Sequence, residues 1–186
     1  MNESTSLGGP PKKLEKLAVT LELAKPEDWL ELAHLRLEAL QTDPDSFFGK
    51  IIPVDIPEAD NEEKWKSYLE DKKEFFMFAK NGSEIVGFLG AYVDYDEKDA
   101  PEGLWCMKWA YVKKESRNRG VGEQMYHAWL EELKKRGIKK AGAFVLNKNK
   151  SFDVVMHLMT KIGFHEVKPA PYDHCARLDI NLEAKK

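Results

Sequence analysis

The segment Trp109-Ala110-Tyr111-Val112-Lys113-Lys114-Glu115-Ser116-Arg117-Asn118-Arg119-Gly120-Val121-Gly122-Glu123 decides how this chain is read. Bulky residues run up to Val112, as in a strand covered on both faces. A short polar turn follows. A helix then opens at two glycines. The first turn of a helix leaves backbone N–H groups without partners, and the helix dipole adds partial positive charge there. An anion satisfies both. Glycine removes the side chain that would hold an anion off the backbone. Arg117 and Arg119 add planar donors suited to phosphate oxygens. The turn therefore reads as a pyrophosphate cradle. Its pattern, Arg117-x-x-Gly120-x-Gly122, is neither a P-loop nor the dinucleotide Gly-x-Gly-x-x-Gly. Taken alone, it also fits a basic turn before a glycine-softened helix.

Outward from this segment, the strand spans 104–112 and the helix 120–136, with Val121, Met125, Leu130 and Leu133 inward and Gly137 as its stop. Upstream, strands at 75–80 and 85–94 flank Asn81-Gly82, a strong hairpin signal. Leu17, Val19, Leu21 and Leu23 alternate, which predicts a strand with one buried face. Pro26-Glu27-Asp28 opens a helix that stops before Asp43-Pro44. Residues 43–58 read as a loop, and a short helix is expected over 61–71. Residues 94–102 form an acidic loop. Downstream come a strand at 140–146, a helix at 151–162 capped by Ser151 and ended by Gly163, and closing strands at 164–167 and 176–180. Helices interleave with strands, which predicts a mixed α/β sheet covered on both faces.

The length, 186 residues, fits one domain, expected over 16–186 behind a flexible tail at 1–15. Charged residues are 33% of the chain but leave a net charge of -3, which argues against a nucleic-acid partner. Cys106 and Cys175 lack metal-ligand spacing, so no metal is expected and both read as buried thiols. No apolar run suits a signal peptide or a membrane span, so a reducing cytoplasm is expected and no membrane partner.

Arg117-x-x-Gly120-x-Gly122 after Tyr111-Val112 resembles the acetyl-CoA signature of the GNAT superfamily of N-acyltransferases. Leu158-Met159-Thr160-Lys161-Ile162-Gly163-Phe164 resembles that family's Leu-Tyr-x-Lys-x-Gly-Phe segment. Arg36, Ala39-Leu40 and Asp43-Pro44-Asp45-Ser46-Phe47 resemble the end of its first helix and its acceptor-side loop. The order of elements matches over roughly 17–180. The resemblance implies the GNAT fold, a mixed and mostly antiparallel sheet of about seven strands with helices on both faces. It implies that the fourth strand splays from the fifth and that the pantetheine arm of acetyl-CoA lies in the gap. Backbone groups of Ala110, Tyr111 and Val112 would pair with that arm. The N–H groups from Asn118 through Arg119, Gly120, Val121 and Gly122 to Glu123 would hold the pyrophosphate. Asn147 or Asn149 would sit near the arm. The implied reaction moves an acetyl group to a primary amine of a small molecule, protein or peptide. Dimers are common in the family, which leaves a homodimer open.

Two positions depart from the family. Met159 stands where many members carry a tyrosine that protonates the leaving thiolate. Cys106 stands where some carry a catalytic glutamate, although a small core residue is the plainer reading there. Tyr172, in the loop Pro169-Ala170-Pro171-Tyr172-Asp173-His174, and Tyr111 are the replacement acids to consider. Ordered water is another. His127 and His157 read as surface or packing residues. Phe47, Phe48 and Trp105 are candidates for shaping an acceptor pocket, with core packing the plainer reading for at least two of them. The acidic stretches at 94–102 and at Glu58, Asp60, Glu62 and Glu63 would favour a cationic amine if they flank its entrance. The rival to an enzyme is a catalytically silent acyl-CoA-binding module.

Overall fold

The computed structural model describes residues 14–46, 60–94, 103–168, 170 and 173–183. The chain runs β1 (Thr20–Leu23), a 3-10 turn at Pro26–Asp28, α1 (Trp29–Thr42), α2 (Glu62–Glu70), β2 (Glu74–Asn81), β3 (Glu84–Asp94), β4 (Leu104–Val112), α3 (Val121–Lys135), β5 (Lys140–Leu146), α4 (Phe152–Ile162), β6 (His165–Val167) and β7 (Cys175–Asn181). The strands form one seven-stranded sheet in the order β1-β2-β3-β4-β5-β7-β6. Every neighbouring pair is antiparallel except β4 and β5, which run parallel. β4 is the central strand, as its two-sided bulk predicts.

Alternation along β2 explains why helices cover both faces. Phe75, Met77 and Ala79 join a core with α3 and α4, including Trp129, Leu133 and Met159. Phe76 and Phe78 point the other way, into a core with α1 and α2 that holds Leu32, Ala39 and Trp65. A period of two on each inner strand thus demands two apolar layers. The Asn81-Gly82 turn joins β2 and β3 with Gly82 at φ +62°, a conformation cheap only for glycine.

The structure corrects two expectations. The first strand starts at Thr20, and its inward face ends early: Leu17 is buried, but Leu23 is 40% exposed. β1 is an edge strand, paired on one side only, so its end is not roofed. Ser151 stands at the N-cap of α4, but its hydroxyl makes no capping bond. The Asn149 side chain instead accepts from the Ser151 N–H at 2.8 Å. Trp105 lies on the α3 side, packed against Phe75 and Arg136 at the edge of the core there, and does not line the gap between β4 and β5. The predicted tail up to residue 13, the loop 47–58 with Phe47 and Phe48, and the acidic loop from 95 to 102 lie outside the described residues. Neither cysteine is in a disulfide, and both are buried. Among the described residues no helix is long and apolar enough to cross a membrane.

Candidate active site

β4 and β5 touch at only two register positions, Trp105 with Ala141 and Cys106 with Gly142. Beyond them the strands part. β5 stays bonded to β7 along its whole length, and β4 stays bonded to β3. Each wall of the gap is thus secured from behind. A bulge helps to turn β4 away: Lys108 and Trp109 together stand opposite the single residue Gly90. The result is a cleft of about 680 Å³, walled by residues 107–112 of β4, residues 143–146 of β5, the start of α3 and one face of α4. The splay expected from the family resemblance is present as a register fact.

α3 begins at the outer end of this cleft. Gly120 holds its N-cap at φ +78°, and no side chain caps the helix. The first-turn N–H groups are therefore available to a ligand. A Cβ built on Gly122 would meet nothing closer than Leu158 at 3.9 Å. Across the opening, Lys161 of α4 bonds Glu123 at 2.7 Å and holds its carboxyl below the usual range. Of the residues singled out in the sequence, the cleft brings together Ala110, Tyr111, Val112, Arg117, Asn118, Gly120, Val121, Gly122, Glu123 and Asn149. It does not bring in Arg119, whose Nε donates to the Glu15 carbonyl at 3.2 Å. Nor does it bring in Asn147, whose amide donates to the Asp173 carbonyl at 3.2 Å. Tyr172 lies outside the described residues.

Arg117 serves differently from its reading as a phosphate donor. Its Nε donates to the Val112 carbonyl at 2.8 Å, and both terminal nitrogens bond the Asp43 carboxylate. Asp43 follows α1, and Ser46, three residues on, donates its hydroxyl to the Asn149 side chain at 3.0 Å. Residues 43–46 thus span the cleft from the β4 side to the loop after β5. In the sequence, Asp43 and Ser46 fall in the segment that resembles the family's acceptor-side loop, which gives neither side chain a role.

The inner end is the part sequence reasoning missed. Lys108, on the bulge, lines the cleft and bonds both Glu74 oxygens at 2.8 and 2.7 Å. Its ammonium lies 4.4 Å from the Tyr68 ring centre and 4.8 Å from that of Trp109. The guanidinium of buried Arg36 covers Trp109 at 4.3 Å. Burial pushes the Lys108 pKa down, and the bond to Glu74 only partly restores it. Burial likewise raises the Glu74 carboxyl, against the pull of Lys108. A lysine inside the apolar run of β4 was the available signal.

The other candidates are placed less favourably for proton transfer. The Tyr111 hydroxyl donates to Glu38 at 2.7 Å, and burial with that bond pushes its pKa up to about 12. Cys106 is fully buried at the β4–β5 joint and does not line the cleft. Met159 does line it and is fully buried. His157 is exposed on α4 at the cleft edge, and His127 is exposed on α3 away from it. Among the described residues no group of three or more His, Cys, Asp or Glu could hold a metal.

Comparison with known proteins gives one family and many similar folds. Residues 29–164 match the acetyltransferase (GNAT) family. No curated protein matches the chain. Among solved structures, an acetyltransferase from Thermus thermophilus is similar, with TM-score 0.63 at 18% identity over 90% of this chain and 99% of that one. The yncA structure from Salmonella typhimurium, solved with its cofactor acetyl-CoA, aligns with TM-score 0.69 at 14% identity, over 91% and 96%. The PaiA N-acetyltransferase of Thermoplasma acidophilum, in complex with coenzyme A, aligns with TM-score 0.65 at 16% identity, over 88% and 99%. At these identities the likeness shows the shared fold.

Proposed function

The chain belongs to the acetyltransferase (GNAT) family, and on that premise we propose that it moves the acetyl group of acetyl-CoA onto a primary amine by direct attack in a ternary complex. The observation that carries this reading is the pairing of β4 with β5 at two positions only, with an uncapped helix N-terminus at the outer end of the gap. The residues present fit the cofactor. The walls offer Ala110, Val145, Val155 and Leu158 to an apolar arm. The open space at Gly122 leaves room for a phosphate against the backbone.

Acetyl-CoA, when bound, supplies a thioester open to nucleophiles. The chain does the rest. First-turn N–H groups of α3 would hold the pyrophosphate, and the unpaired edge of β4 would hold the arm. A β4 N–H would donate to the acetyl oxygen as it gains charge. The apolar walls exclude water, and alignment of the two reactants supplies much of the acceleration. The acceptor is an amine on a small molecule or a peptide.

One observation favours a second reading, a silent acyl-CoA-binding module. Met159 is fully buried where the family tyrosine would stand, and it has no proton to give. Calorimetry with acetyl-CoA, alongside thiol release measured against a panel of amines, separates the two. Binding with turnover on at least one amine is the expected result. Binding without turnover on a broad panel favours the silent module. No binding overturns the reading of the α3 N-terminus.

A further inference from the structure

We propose that Lys108 carries the proton of the transfer, in place of the tyrosine absent at Met159. The inference rests on the acyl-transfer reading and assigns the step that reading left open. Along the parted stretch, residues 107–112 of β4 and 143–146 of β5, the titratable residues lining the cleft among the described residues are Lys108 and Tyr111. The Tyr111 hydroxyl is committed to Glu38, with its pKa pushed up to about 12. The bulge places Lys108 at the cleft, since Lys108 and Trp109 share the space opposite Gly90. The Lys108 side chain is 19% exposed and its Glu74 partner 17%, so the pair is largely withdrawn from water, and of the two only Lys108 lines the cleft.

The surroundings suit an ammonium that gives up a proton and takes it back. Tyr68 of α2, Phe76 of β2 and Trp109 of β4 surround it with rings. These stabilise the cation without accepting its proton. The charged groups facing the pair are Arg36 from α1, Lys64 from α2, Asp71 after α2, and Glu74 from β2. Desolvation and Arg36 disfavour the charge on Lys108, while Glu74 and Asp71 favour it. Lys108 therefore begins charged and paired.

The step balances. A neutral acceptor amine forms its bond to the acetyl carbon as the carbon–sulfur bond breaks. Lys108 Nζ gives a proton to the departing sulfur. The neutral Lys108 amine then takes the proton that the acceptor nitrogen loses, and the ion pair with Glu74 is restored. Glu74 is a positioning residue that sets how readily Lys108 parts with its proton.

The test uses the full chain. Lys108→Arg keeps a cation beside Glu74 but does not release a proton at neutral pH. It is expected to bind acetyl-CoA within about threefold of the parent while kcat falls about 100-fold or more, the scale of a lost general acid or base. Glu74→Gln removes a charge that favours the ammonium, so the alkaline limb of the pH–rate profile should move to lower pH. Independently of activity, NMR of the chain labelled at lysine Cε, with Lys108→Arg for assignment, should show Lys108 titrating below the ordinary lysine value of about 10.4, and lower still in Glu74→Gln. A Lys108 resonance at or above that value overturns the proposal. So does a Lys108→Arg variant with kcat within about threefold of the parent. If the parent does not bind acetyl-CoA, the acyl-transfer reading falls and this proposal with it.

Discussion

Glycine in the first turn of a helix costs stability, so its presence needs a reason. Packing does not supply one at Gly122, where an added Cβ would find only an ordinary contact with Leu158 at 3.9 Å. Gly90 differs, because a Cβ there would sit 2.6 Å from the Phe76 ring. The free space at Gly122 belongs to the cleft. Gly122→Ala should therefore leave the fold unchanged or stabilise it by up to about 1 kcal/mol, the usual helix gain. It should weaken acetyl-CoA binding about tenfold or more, which is roughly 1.4 kcal/mol. Thermal melts and calorimetry on the same variant check both parts, and unchanged affinity would remove the phosphate from this turn. The glycines were legible because the backbone chemistry of a helix start is local. The engagement of Arg117 was not, because its partner Asp43 lies 74 positions away in the chain. An arginine beside a phosphate-binding turn reads as a phosphate ligand until its partner is known.

At the scale of elements, the site depends on where β4 and β5 stop pairing. Gly142 is the last joined position of β5. A Cβ there would meet Leu104 at 2.8 Å, Cys106 at 3.3 Å and Asp179 at 3.4 Å. Leu104 and Cys106 belong to β4 itself, so the small residue at 142 lets the two strands close. Gly142→Ala should destabilise the fold by about 1–3 kcal/mol, as overpacking does. Urea unfolding measures this, and a loss below about 0.5 kcal/mol would mean the joint is slack. The order of elements was legible from local signals, since the apolar runs of β2 and β3 flank the Asn81-Gly82 turn. The splay was not legible from periodicity. It entered through the resemblance to a family. The bulge left no mark in Leu104–Val112, where one strand carries bulk on both faces. Lys108 was in plain view, but a single charge in a central strand has no meaning until Glu74 is beside it.

At the scale of the molecule, the cleft is as firm as the half-sheet behind it. β5 is backed by β7, and Asp179 of β7 stands in register with Gly142 at the joint. The Asp179 carboxylate accepts from Arg177 Nε and a terminal nitrogen at 2.9 Å each, and Lys140 lies 2.8 Å away. Burial alone would raise its pKa, but the bonds to Arg177 and Lys140 outweigh this and hold it below the usual carboxylate value. A depressed folded-state pKa gives stability that is fully present above the unfolded value, about 3.9, and is lost as pH falls through the folded one. Asp179→Asn should cost roughly 3 kcal/mol at pH 7, at the low end for breaking a buried pair because solvent reaches Lys140. As pH falls below about 4 and on through the folded-state value, the parent gives up the charge-dependent part of this contribution, so the two unfolding curves should draw together. The comparison is urea unfolding of both chains at pH 7 and again in acid. A gap that stays constant across that range would mean that Asp179 acts by shape rather than by charge, and that the wall behind the cleft is insensitive to pH.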